Sequence, residues 1–321
     1  MITDTTLAPQ PWISGGRFDD IDAQAAQLHG YGQQYQQLSR GPFEGRFRSF
    51  AFGDDLGIHF ETANRELAQA ASTPPGRYAA CFLGENSPAC TINAGTFAQS
   101  DIALCPENKM LEGKTAEDVS VCCMDLSLDL LPDDGVGLRT ARIQGDPVRS
   151  RQLRELIQSG ISVFGRLESL PGFPAAVRDF KSSVADLIWR IADQNEAERS
   201  TTRQYSTVRS LQVFRRAREY IHEMLAEGIS IVALCKAVGV SRRSLENAFR
   251  SVVGMGPAFY IRTLQLNRIR RELLSGVGGH VPIGAIAARH GIWHWSRFSS
   301  HYRLLFGELP SHTRGRGRNP G

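Results

Sequence analysis

Ile231-Val232-Ala233-Leu234-Cys235-Lys236-Ala237-Val238-Gly239-Val240-Ser241-Arg242-Arg243-Ser244-Leu245-Glu246-Asn247-Ala248-Phe249 is followed, further along the chain, by a second stretch of the same outline. Ile231, Ala233, Leu234, Gly239, Val240, Leu245, Phe249, Gly254 and Pro257 are matched by Ile283, Ala285, Ile286, Gly291, Ile292, Phe298, Tyr302, Gly307 and Pro310. The offset is 52 residues as far as Gly291 and 53 from Phe298 onward, so the second turn is one residue longer. Self-similarity at a fixed spacing marks one supersecondary unit used twice. The spacing predicts a helix, a tight glycine turn and a second helix in each copy.

The chemistry of the first copy carries the reading further. Ile231, Leu234 and Val238 fall at helical spacing and form the apolar stripe of a short helix. Gly239 ends it, since the residue past a helix end often needs positive φ, which glycine adopts without steric cost. Ser241 stands where an N-cap is wanted. Leu245, Phe249 and Val252 give the next helix one apolar face, and Arg242, Arg243, Glu246, Asn247 and Arg250 occupy the other. Arginine can pair with guanine O6/N7 and asparagine with adenine N6/N7, which is what reading the major groove requires. A single such helix reads as an ordinary solvated amphipathic helix. Two copies with matched stops point to nucleic acid.

Over about 215–313 the chain resembles the AraC/XylS family of bacterial transcription regulators. Gly239-Val240-Ser241-Arg242-Arg243-Ser244-Leu245, Phe249 and Gly254-Met255-Gly256-Pro257 carry the likeness in the first unit. Ile286-Ala287, Gly291-Ile292, Phe298 and Phe306-Gly307-Glu308-Leu309-Pro310 carry it in the second. Trp293-His294 and the run Leu266-Asn267-Arg268-Ile269-Arg270-Arg271-Glu272-Leu273 are similar to the branch that controls ethanolamine-utilisation operons. Ile292, Gln265 and Ile269 depart from the family's usual residues at packing positions. The resemblance implies an α+β chain. An amino-terminal cupin-like β-barrel or sandwich with flanking helices would precede an all-α domain with two helix-turn-helix units.

It also implies that the helix over 257–275, packed through Phe259, Leu264, Leu266 and Ile269 with Pro257 in its first turn, sets two recognition helices into successive major grooves. Arg242, Arg243, Glu246, Asn247 and Arg250 from the first, and Trp295, Ser296, Ser299, Ser300 and Arg303 from the second, are the expected DNA contacts. Arg297 is the expected phosphate contact. The implied partners are a double-stranded DNA operator, RNA polymerase, a small-molecule effector and a second copy of the chain. The implied activity is transcription regulation in the cytoplasm, with activation and repression both open.

Charge divides the chain. The formal net charge is +4 over 321 residues. From Arg203 to the end there are 19 basic and 6 acidic residues, a net of +13, whereas the first 202 residues carry a net of −9. A basic domain of this kind predicts phosphate contact and salt-sensitive association. The basic residues are mostly arginines spread over several helices, without an amphipathic membrane anchor. No apolar run approaches the ~20 residues of a membrane span. The start has no charged region leading into an apolar one, so no signal peptide is expected. Six cysteines, Cys81, Cys90, Cys105, Cys122, Cys123 and Cys235, show neither framework spacing nor a C-x-x-C pair and read as reduced thiols.

Upstream, short apolar or alternating runs broken by glycine and proline read as strands between about 47 and 131: 47–52, 58–60, 78–83, 101–105 and 119–124. A helix around Tyr31–Tyr35 is expected before the first of them. Apolar stripes then mark helices at 148–163, 175–192 and 208–225, each serving as core, docking face or dimer seam. The expected organisation is a sensor and dimerisation domain over 1–192, a linker over 193–202, a DNA-binding domain over 203–313, and a disordered basic tail over 314–321.

An enzyme is the weaker alternative. A metal-dependent barrel wants several histidines and a carboxylate converging on one ion. The amino-terminal part holds only His29 and His59. His290, His294 and His301 lack cysteine or carboxylate neighbours at useful spacing, and Cys122 and Cys123 cannot both face inward from one strand. No glycine-rich phosphate loop or nucleophile elbow is present. No catalytic residue, metal site or cofactor is therefore expected. A ligand-independent regulator, and an enzyme with a DNA-binding appendage, are the rival readings.

Overall fold

A computed structural model describes residues 12–131, 141–164, 173–193, 201–276, 281–293 and 295–318. Its amino-terminal part is antiparallel β-structure and its carboxy-terminal part is helical. The strands are β1 Trp12–Phe18, β2 Gln34–Gln37, β3 Gly45–Phe52, β4 Leu56–Ala63, β5 Leu67–Ser72, β6 Arg77–Leu83, β7 Cys90–Ile92, β8 Gly95–Phe97, β9 Asp101–Cys105, β10 Met110–Lys114, β11 Val119–Ser127 and β12 Arg142–Gly145. They form a seven-stranded sheet in the order β1-β3-β4-β11-β6-β9-β12 and a five-stranded sheet in the order β2-β5-β10-β7-β8.

Period-two alternation explains how the larger sheet is covered on both faces. Tyr78, Ala80 and Phe82 of β6, with Cys122, Met124 and Leu126 of β11, pack beneath the helices α2 Pro147–Phe164 and α3 Phe173–Asp193. Their neighbours Cys81, Leu83 and Cys123 face the other way, towards Tyr35, Leu67 and Phe97 of the smaller sheet. Burial of Leu153 and Ile157 on α2, and of Val184, Ile188 and Ile191 on α3, closes the first layer. Phe52, Phe164 and Phe180 meet there with ring centroids 5.1–5.6 Å apart.

A short helix α1, Ile21–Ala25, is capped by the Asp20 carboxylate, which accepts from the Asp22 and Ala23 amides. The carboxy-terminal helices are α4 Thr201–Met224, α5 Ile231–Val238, α6 Arg242–Val253, α7 Pro257–Leu274, α8 Ile283–Arg289, α9 Trp295–Phe306 and α10 Pro310–Arg318. They enclose two cores. One gathers Phe214, Leu234, Leu245, Phe249, Tyr260 and Leu264, and it takes in Leu38, just after β2, and Ala68 of β5. The other gathers Leu266, Ile269, Ile286, Ile292, Phe298 and Tyr302. The α7 helix contributes to both, so it joins the two helix pairs by burial.

Several expectations need correction. Strands begin at Trp12 and end at Gly145, outside the 47–131 window. The segment around Tyr31–Tyr35 leads into β2 rather than forming a helix, and the helix that precedes it is α1. Phe259 is exposed, while Tyr260 and Ile261 beside it are buried, because the packed face of α7 lies one residue further round. Cys81 and Cys123 are disulfide-bonded with Cα atoms 4.2 Å apart, so the chain is not read as six reduced thiols. Their strands place them directly opposite one another, a juxtaposition that 42 residues of sequence separation conceal. Cys122, by contrast, is buried on the opposite face, as alternation requires. Of the tail expected to be disordered from Arg314, the part up to Arg318 continues α10, where Arg314 donates to the Val281 carbonyl and Arg316 pairs with Asp19. Residues 194–200, most of the expected linker, lie outside the described residues, as do 319–321.

Candidate nucleic-acid interface

The α5 helix starts at Ser230, whose hydroxyl accepts from the Ala233 amide at 3.0 Å, and ends at Gly239 with φ 71°. A left-handed residue here lets the Gly239 amide reach back to the Cys235 and Lys236 carbonyls. Ser241 then caps α6, accepting from the Ser244 amide at 3.2 Å. Gly254, again at φ 71°, closes α6. The second pair follows the same plan around Gly291 at φ 78°, with Gly307 at φ 77° closing α9. Its Pro282 start has no side-chain cap.

These stops orient the two helix faces. On α6, Leu245, Ala248, Phe249, Val252 and Val253 are buried. Arg242, Arg243, Asn247 and Arg250 are exposed, and Glu246 is half-buried. Glu246 lies 3.7 Å from Arg250 one turn on, a loose ion pair on the same face. On α9, Phe298, Tyr302, Leu305 and Phe306 face inward, leaving Arg297, Ser299, Ser300 and Arg303 exposed. Trp295 and Ser296 fall in the first turn of α9, but their side chains lie outside what the structure describes. Trp293, just before α9, is 63% exposed. Each pair thus presents cationic and hydroxyl or amide donors from a helix whose opposite side is locked into a core. Chemically, such a surface can bond phosphate oxygens and base edges.

Residues of α7 have a different role that spacing does not reveal. Asn267 is buried, and its amide pairs in both directions with the Gln37 backbone, accepting from its N–H at 3.0 Å and donating to its carbonyl at 3.1 Å. Arg270 donates to Glu308 at 2.6 Å and lies 3.7 Å from Asp20. Arg271 donates to Asp22 at 2.8 Å and also to the Tyr35 carbonyl. On α4, Arg215 and Arg218 converge on Glu112 of β10 at 2.7 and 2.6 Å, and that carboxylate side chain is 1% exposed. The acidic and basic halves are therefore joined by specific pairs as well as by overall charge. The charge asymmetry is visible in the sequence and these partners are not, since no local pattern links Glu112 to Arg215.

The histidine cluster also differs from expectation. His290 has a carboxylate partner, Glu272 of α7, at 2.7 Å, supplied from another helix and so invisible to spacing. Arg289 shares the same carboxylate. In the sheet, His59 lies between Ser49 at 2.9 Å and Asp125 at 3.2 Å. Burial first, and then the Arg77 charge, lower its pKa to about 4. Among the described residues, no group of three histidine, cysteine or acidic side chains is gathered as a metal ion would need.

The carboxy-terminal part of the chain is similar to known proteins. Residues 234–316 match the family described as a helix-turn-helix domain. The XylDLEGF operon transcriptional activator of Pseudomonas putida is 39% identical over 100 residues, which are 31% of this chain and 31% of that protein. The regulatory protein HrpB of Ralstonia nicotianae is 36% identical over 101 residues, 31% of this chain and 21% of that protein. The chain thus spans about a third or less of the length of these curated relatives. The AraC-like transcriptional activator CuxR covers 87% of this chain over its whole length, at 16% identity and a TM-score of 0.47. An AraC-type regulator from Chromobacterium violaceum covers 35% of this chain and 97% of its own, at 31% identity and a TM-score of 0.32. Among the described residues, no helix is long and apolar enough to cross a membrane.

Proposed function

We propose that this chain is a member of the AraC/XylS family and a sequence-specific DNA-binding activator of transcription controlled by a small molecule. The observation that carries the reading is the pair of glycine-turned helix units, each with a locked apolar side and an exposed donor-rich side. In this reading both units are helix-turn-helix modules. Arg242, Arg243, Glu246, Asn247 and Arg250 read one major-groove segment. Trp295, Ser296, Ser299, Ser300 and Arg303 read the next, and Arg297 contacts phosphate.

The amino-terminal sheets form a cupin-like sandwich over 1–192 that senses the effector and supports a homodimer. Residues 193–202 bridge to the DNA-binding domain over 203–313, and RNA polymerase is the partner on the promoter. The protein works in the cytoplasm and catalyses no reaction. Effector binding acts by favouring one arrangement of the halves joined through Glu112, Asn267 and Arg271, because a ligand with equal affinity for both arrangements shifts nothing.

The test is binding of the full chain to duplex DNA across a salt series. The logarithm of the affinity falls linearly with the logarithm of salt concentration if arginines displace counterions from phosphates. A salt-independent affinity refutes the DNA-binding reading.

A further inference from the structure

A cleft of about 350 Å³ opens between the start of β2 and the helices α4 and α7, lined by Asp22, Gln33, Gln34, His222, Arg268 and Arg271 among others. The volume falls within the range of small-molecule sites. Its charge is unbalanced. Arg271 is engaged by Asp22, but among the described residues no carboxylate pairs with Arg268, which is half-buried. The Nε2 atom of His222 is buried and has no hydrogen-bond partner. A buried ring nitrogen without a partner and an arginine without a counterion are each unfavourable unless something fills the space between them.

We propose that this cleft between the sheet and the DNA-binding helices is a binding site for a small molecule carrying a carboxylate or phosphate group. Arg268 supplies the guanidinium fork that recognises either anion, and His222 Nε2 supplies a second donor. Gln33 and Gln34, entering from the other half of the protein, supply amide contacts to the remainder of the molecule. Electrostatics agrees: burial first, and then the charges of Arg268, Arg218 and Arg271, hold the His222 pKa down at about 4. Burial first, and then Arg271, also lower that of Arg268. An entering anion relieves both. The same charges oppose a cationic amine such as ethanolamine.

Because the cleft takes residues from both halves, a ligand seated there favours the joined arrangement, and α7 carries that preference to both helix pairs. The inference rests on the small-molecule control proposed above and assigns it a place and a ligand class.

The experiment uses the full chain, with thermal melting followed in sodium phosphate, sodium acetate and sodium chloride at matched ionic strength. The expected result is a saturable rise in melting temperature with phosphate or acetate beyond that in chloride. A response to acetate alone assigns a carboxylate, and a response to phosphate alone a phosphate ester. Arg268→Gln should weaken the response at least tenfold. Gln34→Glu, at an exposed position where folding is not at stake, should do the same by placing a negative charge at the rim. If neither anion exceeds chloride, or both variants saturate where the wild type does, the site is overturned and small-molecule control is untouched. If the variants lose the response but saturating anion leaves DNA affinity unchanged, the site stands and the control reading fails.

Discussion

Replacing Phe249 by alanine separates the two faces of α6 in one step. The ring is fully buried and meets Phe214 and Tyr260 edge-on, at 5.0 and 5.3 Å between centroids. Truncating a buried phenylalanine costs about 3–5 kcal/mol through lost transfer energy and the cavity left behind. Two aromatic contacts at about 0.5–1.5 kcal/mol each place this site in the upper half of that range. Arg243 is exposed, and its side chain takes no part in the Ser241 cap or the core, so its replacement changes stability by less than about 0.5 kcal/mol. Its loss instead removes base contacts of about 1–3 kcal/mol from operator binding. The assay is urea denaturation of both variants beside DNA binding at fixed salt. Phe249→Ala should shift the unfolding midpoint strongly and lose binding only in proportion to unfolded protein. Arg243→Ala should bind weakly while unfolding like the wild type. Equal midpoint shifts for the two variants would refute the assignment of faces.

Three further outcomes follow from the same reasoning. Gly239→Ala should cost about 1–2 kcal/mol by denaturation although nothing crowds its Cβ, because the penalty is the left-handed backbone itself. Glu112→Gln should weaken the junction between the halves by about 3–5 kcal/mol, leaving Arg215 and Arg218 without their buried counterion; limited proteolysis between the halves reads that loosening. His59, neutral in the folded chain and with a pKa lowered to about 4, takes up its proton only on unfolding over the interval above that value. Its contribution is full above the ordinary histidine pKa of about 6.5 and falls by up to about 1.4 kcal/mol per pH unit down to about 4. Comparing acid unfolding of the wild type with that of His59→Gln isolates the effect. The comparison is needed because burial raises the pKa of Glu61 and works in the opposite direction.

The carboxy-terminal helices were legible because their determinants are local. The glycine stops, the Ser241 cap and the apolar spacing act within one or two turns, and the helix over 257–275 agrees with α7 to within a residue. Strands with strong alternation, such as Val119–Ser127, were legible for the same reason. Strands β2 and β5 were not, since Gln34-Tyr35-Gln36-Gln37 and Leu67-Ala68-Gln69-Ala70-Ala71 become strands through burial against helices far away in sequence. The junction was illegible for a stronger reason. Asn267 satisfies the backbone of Gln37 across 230 residues, and only the assembled fold reveals that a helix amide substitutes there for a neighbouring strand. In the sequence the arginines of α7 contribute only to the basic charge of the carboxy-terminal part, whereas in the fold Arg270 and Arg271 are directed to Asp20, Glu308 and Asp22.

If both helix units read DNA, they lie along one face of the duplex. A hydroxyl-radical footprint of the full chain, on a duplex selected from random sequence, measures this directly. Two protected segments about one helical turn apart, roughly 10–10.5 base pairs between centres, are expected. Arg243→Ala should weaken one segment and Arg303→Ala the other. A single protected segment that both variants weaken alike would contradict the account.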